Sequence, residues 1–315
     1  MARRALLGRV ADVDIRLLRV FRTIVACGGV SAAELELNIG RSTISRHLTD
    51  LELRLGVKLC ERGPAGFALT GEGERVYEAS SRLLSAINSF QADIDDVHQR
   101  LTGHLSIALF DKTVSNPLAK LPETIRIFDE LAPNVTIEIH VEPANVIESG
   151  VLSGRFHLAI IPIHRQSNSM DYHPLYSEQM YLYCGRGHPL YGHSNRTVSR
   201  QDIRQHKYAG IGFQSPNMVV SHQLKLKRAA DAYNEEALAA LILSGRYIGF
   251  LPDHYAQSFA ERGEMQQLRP DRYHYQSNHA AIVRHFPKPS RLVETFLDCL
   301  RREHGVSDPP EELTA

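Results

Sequence analysis

The chain has 315 residues, 36 Lys/Arg against 36 Asp/Glu, and 43% hydrophobic residues, close to ordinary soluble usage. This excludes wholesale disorder and a uniformly basic nucleic-acid coat, and the length suggests about two domains. No apolar run approaches the ~18 residues of a membrane span. The apolar part of the opening MARRALLGRV is too short for a signal peptide, so a cytoplasmic location is expected.

Chemistry-bearing motifs are sparse. Cys27, Cys60, Cys184 and Cys299 lie far apart with no CxxC pair, which argues against a disulfide framework and a cysteine zinc site. The sixteen histidines are scattered, without HExxH or zinc spacing. No GxSxG, P-loop or GxGxxG stands in its proper context. No metal, no cofactor and no enzymatic activity are therefore expected. Charge, by contrast, is uneven. Residues 1–65 hold 11 Lys/Arg and seven Asp/Glu, a local excess of four positive charges on a neutral chain. That asymmetry suggests a separate module for a polyanion.

In chain order, the first helix is read over Asp14–Ala26, with Ile15, Leu18, Phe21, Ile24 and Val25 at helical spacing and Asp14 as N-cap. Cys27-Gly28-Gly29 ends it. Ser31, with Glu34 three residues on, is the expected capping box of a short second helix. After the turn Asn38-Ile39-Gly40, a third helix over Arg41–Leu55 buries Ile44, Leu48, Leu51 and Leu55. Its other face carries Arg41, Ser42, Thr43, Ser45, Arg46 and His47. Two helices joined by a tight turn, the second polar and basic at its start, suit the major groove of double-stranded DNA. Arg can read guanine, and Ser and Thr reach phosphates or bases. Two alternating runs around Gly63-Pro64-Ala65-Gly66 read as a β-hairpin wing, with Lys58 and Arg62 near the DNA backbone.

From Glu72 to about Arg100, Val76, Leu83, Leu84, Ile87, Phe90, Ile94 and Val97 form one apolar stripe, the pattern of a long helix that pairs with another chain. Strands then alternate with helices: strands at Leu105–Phe110, Asn134–Val141, His157–Pro162, Met180–Gly185, Tyr208–Ile211, Tyr247–Leu251 and His279–Arg284. The helices are Pro117–Leu131, Val146–Ser153, Arg200–Gln205, Glu235–Leu243 and Ser290 to about His304. This alternation implies parallel sheets with crossover helices in two αβ halves, with ligands between them at the carboxyl ends of strands.

The run from Val13 to Glu74 resembles the DNA-binding domain of LysR-type transcriptional regulators. It is carried by Leu17 and Phe21, by LNIGRSTISRHL (Leu37–Leu48), by Asp50-Leu51-Glu52 with Leu55-Gly56-Val57, and by Leu59-Cys60-Glu61-Arg62 with Leu69-Thr70-Gly71-Glu72-Gly73. The chain departs from the family pattern with Gly40-Arg41-Ser42 opening the recognition helix, Ala33-Glu34 in helix two and Cys60 in the wing. Leu121-Pro122, Ala159-Ile160, Gly187-His188-Pro189-Leu190 and Gly245–Pro252 match the family's effector domain in order. The resemblance implies an α/β protein with an N-terminal winged helix-turn-helix over 1–71, a linker and dimerisation helix over 72–101, and a two-lobed effector domain over 102–305. That domain resembles periplasmic solute-binding proteins. Residues 306–315 read as a disordered tail. The implied partners are operator DNA, a small-molecule effector, RNA polymerase, and further copies of the chain as dimers and a homotetramer.

The expected DNA-contacting residues are Arg41, Ser42, Thr43, Ser45, Arg46, His47 and Arg62. The expected effector-contacting residues are Lys112, Thr113, Ser115 and Asn116 after the first effector-domain strand, Pro162 and His164 at the lobe crossing, and Phe213 and Ser215 in the second lobe. Ile163, Gln214 and Glu142 are secondary candidates. The hydroxyl-rich helix start beside Lys112 points to a small carboxylate as effector.

Overall fold

The computed structural model describes residues 8–63, 66–97, 101–194, 197–213 and 215–305. The side chain of Arg62, the hairpin residues Pro64 and Ala65, Gln214 and the tail after residue 305 lie outside the described residues. The chain divides into two compact units, the first carrying the N-terminal helices and hairpin, the second a large sheet.

In the first unit, α1 (Asp12–Ala26) starts two residues earlier than the sequence suggests. Asp14 is not its N-cap: it sits in the first turn, where its Oδ2 accepts a hydrogen bond from Ala11 N at 2.8 Å. The same carboxylate, 2% exposed, is gripped by Arg54 Nε and, at 2.9 Å, by Arg54 Nη2. The Arg54 hydrogen bond holds the Asp14 carboxyl below its ordinary range against the opposing cost of burial. In α2 (Ala33–Leu37) the expected Ser31 capping box is absent. Glu34 Oε1 accepts instead from Arg41 N at 2.6 Å, capping the next helix, α3 (Arg41–Leu55). Leu17, Phe21 and Ile24 of α1 pack with Ile44, Leu48 and Leu51 of α3 and with Leu59. Each such side chain contributes roughly 1.5–3 kcal/mol by leaving water. α3 ends on Gly56 in the left-handed region, at φ +71°, a conformation that costs glycine little because it has no Cβ.

The wing is the antiparallel pair β1 (Cys60–Gly63) and β2 (Gly66–Leu69), in register Cys60 to Leu69 and Gly63 to Gly66. Glu52 Oε1 holds its base by accepting from Leu59 N at 2.8 Å and Cys60 N at 3.3 Å. Then α4 (Gly71–Val97) begins, with Gly73 N donating to Thr70 Oγ1 at 2.9 Å. A Cβ on Gly73 would fall 2.0 Å from Leu59 O, so glycine alone permits this helix start to press on the hairpin base.

The second unit contains, in order, β3 (Thr102–Leu109), α5 (Leu121–Leu131), β4 (Asn134–Val141), α6 (Ala144–Ser153), β5 (Leu158–Pro162) and β6 (Met170–Gly185). It continues with α7 (Arg200–Gln205), β7 (Lys207–Ile211), α8 (Pro216–Leu224), β8 (Lys227–Ala232), α9 (Glu235–Leu243), β9 (Ile248–Pro252) and α10 (Asp253–Glu261). β10 (Met265–Gln267), β11 (His274–Arg284) and α11 (Arg291–Glu303) complete it. The sheet runs β4-β3-β5-β11-β6-β9-β7-β8, with β10 on β6. The expected parallel pairs exist, β3 with β4 and β5, and β7 with β8 and β9. The sheet as a whole is mixed, however, because β6 and β11 are far longer than the expected segments and pair antiparallel along their length.

These two strands join the lobes. At one end β11 pairs with β5 through His279–Ile282; at the other, β6 pairs with β9 through Met180–Cys184. The register slips between His279 and Ala280, where the sheet passes from one lobe to the other. Each lobe has its own core, one around Phe128 and Phe296, the other around Tyr208 and Phe250.

Candidate nucleic-acid face and interlobe site

Arg41, Ser42 and Arg46 are exposed on α3, and Thr43, Ser45 and His47 are half-buried beside them, while Ile44 and Leu48 point into the core. The periodicity of α3 thus gives one helix two faces, an apolar stripe that fixes it and a polar face that is displayed. No acidic residue of α3 stands in its first turn, but the Glu34 carboxylate already caps the helix start at Arg41 N, so the positive charge this face displays comes from the Arg41 and Arg46 side chains. Glu34, expected from sequence in the capping box of α2, braces the start of α3 instead, and Arg54, which the sequence reading passed over, braces its end. A rigidly held basic helix face beside a hairpin can bind a phosphate backbone and read base edges.

In the second unit, the loop after β3 crosses to the other lobe. Asp111 Oδ2 accepts from Glu235 N at 2.8 Å and Glu236 N at 3.4 Å, at the start of α9. Lys112 lies 3.5 Å from Glu236 Oε2 and 4.8 Å above the Tyr255 ring. Ser115 Oγ donates to Lys112 O at 2.8 Å and lies 3.3 Å from His254 Nδ1 on α10. Asn116 Oδ1 caps the following turn by accepting from Leu118 N at 2.9 Å, and its Nδ2 donates to Glu178 Oε1 at 2.9 Å. Phe110 meets Phe213 edge-on, ring centres 6.2 Å apart.

Glu178, in the middle of β6, is the hub of this crossing. Its carboxylate faces His254 Nε2 at 3.2 Å and His279 Nε2 at 3.7 Å as well as Asn116. Burial would raise the Glu178 carboxyl, but the His254 hydrogen bond, the His279 charge and Asn116 outweigh it and hold it below its ordinary value. Glu235 is placed oppositely. Burial, then the charges of Glu178 and Asp111, raise it well above the ordinary carboxylate range, with Lys112 opposing.

The expected effector residues therefore divide. Lys112, Ser115 and Asn116 are brought together, but as a latch between lobes. Thr113 is 2% exposed and donates to Phe110 O at 2.6 Å, so its hydroxyl is spent on the backbone. Pro162 is buried at the end of β5 opposite His279. His164 turns toward Glu148 of α6, 4.0 Å away. Ser215 is buried, and its Oγ has no hydrogen-bond partner among the described residues. Asp111, Glu178, Glu235 and His254 were not singled out from sequence. Glu178 lies in a half-exposed strand and Asp111 in a polar loop, and neither context marks a site.

Residues 98–305 match the family described as LysR substrate binding domain, and residues 15–74 match the bacterial regulatory helix-turn-helix of the lysR family. The chain belongs to the LysR family. It is a transcriptional regulator with a DNA-binding helix-turn-helix and an effector-binding domain. Among the curated relatives of this LysR regulator is the HTH-type transcriptional activator BauR of Pseudomonas aeruginosa, 39% identical over 93% of this chain and 96% of that one. The fold is also that of CbnR, a LysR family transcriptional regulator (TM-score 0.63, 21% identity, 92% and 99% of the two chains), which has also been solved with its target DNA. The probable transcriptional regulator PA0477 of Pseudomonas aeruginosa gives a TM-score of 0.63 at 18% identity, over 96% and 99%. Among the described residues, no helix is long and apolar enough to cross a membrane and no group of His, Cys, Asp and Glu is arranged to hold a metal.

Proposed function

We propose that this LysR regulator acts in the cytoplasm as an effector-controlled activator, reading operator DNA through Arg41, Ser42, Thr43, Ser45, Arg46 and His47, with Arg62 on the wing. The activating sign is supported by the relative named an activator. The organisation we propose keeps the winged helix-turn-helix to residues 1–71, the linker to 72–101 and the effector domain to 102–305. Phe90, 64% exposed, and Ile94, 45% exposed, lie four residues apart on α4, a face for pairing with a second copy. Dimers assemble further into a tetramer and act on RNA polymerase.

The observation that carries the effector reading is the latch of Asp111, Lys112, Ser115 and Asn116 onto α9, α10 and Glu178. These side-chain links join the two lobes beside the Phe110–Phe213 contact, and a ligand entering between Phe213, Ser215 and Glu235 shifts the balance between latched and unlatched lobes by its different affinity for the two. The test is footprinting of the operator before and after effector, with wild type and with Asp111→Ala. An effector-dependent change in wild type that Asp111→Ala shows without effector supports the reading. Identical footprints in all four cases overturn it.

A further inference from the structure

The helix that carries the reading face has no cap of its own. The residue before α3 is Gly40, in extended backbone, with no side chain to accept from the first amides of the helix. Helix starts leave their first N–H groups without intrahelical partners, and partial positive charge gathers there. A serine, threonine, asparagine or aspartate at that position usually satisfies one of them. Here the acceptor comes from seven residues upstream, where Glu34 Oε1 on α2 takes the Arg41 N–H at 2.6 Å. Glu34 is itself held in place, because its neighbour Ala33 is fully buried in the core that also takes Ile44 and Leu48 of α3. The two residues belong to two of the segments in which the chain departs from the LysR pattern, Ala33-Glu34 and Gly40-Arg41-Ser42, and the structure makes them one contact.

The contact is to the backbone. Among the described residues the Arg41 guanidinium makes no ion pair, with Glu34 or with any other acid. Glu34 therefore fixes where the arginine starts and leaves its exposed side chain for DNA. Bidentate reading of a base depends on that placement. The carboxylate has a second effect. A bare helix start is a ready phosphate site. With Glu34 in place the position already holds an anion, and a DNA phosphate approaching it is repelled. Docking on any sequence is weakened, while the base contact of Arg41 is not, so discrimination between sequences rises.

We infer that Glu34 is a positioning residue for operator reading: it sets Arg41 against one base pair and keeps phosphate from the start of α3. This rests on the operator reading given above.

The experiment uses the full chain as wild type, Glu34→Gln, Glu34→Ala and Arg41→Ala. Each selects from a randomised duplex pool. Each is then titrated, at one salt concentration, against the duplex selected by wild type, its single-base-pair variants and the unselected pool. Arg41→Ala is expected to relax preference at one base pair, and Glu34→Ala to relax it at the same pair by about threefold or more. Glu34→Gln keeps an oxygen that can accept from Arg41 N but removes the charge. It is expected to keep the wild-type preference and to bind the unselected pool about two- to fivefold tighter. A merely structural role would instead weaken all duplexes alike. That outcome for Glu34→Ala, or an unaltered preference at the Arg41 pair, overturns the inference, and so does a Glu34→Gln affinity for the pool no higher than that of wild type. If Arg41→Ala relaxes no position, the operator reading falls and the inference with it. Thermal unfolding without DNA shows which variants fold, and should Glu34→Ala not fold, the Glu34→Gln result decides alone.

Discussion

Asp111 Oδ2 accepts the backbone N–H of Glu235 at 2.8 Å, so a residue from the end of β3 in one lobe caps the first turn of α9 in the other. The bond links two lobes that also meet through Phe110 and Phe213, and it places negative charge at the positive end of a helix dipole. Asp111→Ala is expected to cost about 0.5–2 kcal/mol, the usual worth of an N-terminal cap. Asp111→Asn should keep most of it. Urea unfolding of the two variants and wild type checks the ordering, and equal stability of all three would remove the latch from the energetics.

Arg41 and Arg46 are exposed on the face of α3 opposite Ile44 and Leu48. Arg41→Ala should weaken operator binding by about 1–3 kcal/mol and relax preference at one base pair. A phosphate contact from Arg46 would show differently: Arg46→Ala would weaken binding to all sequences alike and lower the salt dependence by about one ion. Titrations against an operator and its point variants at several salt concentrations separate the two roles.

Gly73 has no room for a side chain, since a Cβ would sit 2.0 Å from Leu59 O. Gly73→Ala therefore pushes α4 from the hairpin base. The expected loss is about 1–3 kcal/mol, typical of overpacking, together with weaker DNA binding because the wing shifts. Denaturant unfolding and operator titration of the same variant measure both, and an alanine tolerated in each would show that the helix start can slide.

Two histidines set the acid limit, one half-buried and one buried. His157, whose Nδ1 accepts from Ser106 N at 3.1 Å, is pushed down to about 4 by burial and then by nearby His104. His188, with Nδ1 accepting from Leu190 N at 3.1 Å, is also pushed down to about 4, by burial and then His206. Both bind protons more readily in the unfolded chain. Their contribution to stability is present above the ordinary histidine value of about 6.5 and is lost as pH falls through about 4. The Tm should drop across that window, and less steeply in His157→Gln.

Glu235 works in the other direction. Its carboxyl is raised by burial and by Glu178 and Asp111, so the folded chain holds this proton more tightly than the unfolded chain does. The resulting stability is complete below the ordinary carboxylate range and is lost as pH rises through the raised folded value. Glu235→Gln should therefore be at least as stable as wild type in mildly alkaline buffer, with a flatter pH dependence there. A lower Tm for the variant in that buffer would mean that the carboxylate already has a stabilising partner.

What the sequence determined by itself is local. Periodicity places Ile44, Leu48 and Leu51 inside and Arg41 and Arg46 outside, and Asn38 and Gly56 punctuate the helices because both adopt positive φ. Those patterns, with the spacing of the wing residues, fix the winged helix-turn-helix and the alternation of the larger unit. Asp14 shows where such reading ends. Its position suggests a cap, and only the folding of α3 against α1 makes it the partner of Arg54, forty residues away. The same holds for β6 and β11. Met170–Gln179 carries no apolar alternation strong enough to announce a strand, α8 has no single apolar stripe, and β8 reads KRAADA, with no apolar side chain larger than alanine. These segments are held by pairing with neighbours. The interlobe cluster was still less legible, because Asn116, Glu178, Glu235, His254 and His279 come from five separate elements and meet only when the two long strands carry the chain from one lobe into the other. Side-chain periodicity reports which face of an element is buried. It carries no record of which distant charge will be buried beside it, and that is what decides the chemistry of this site.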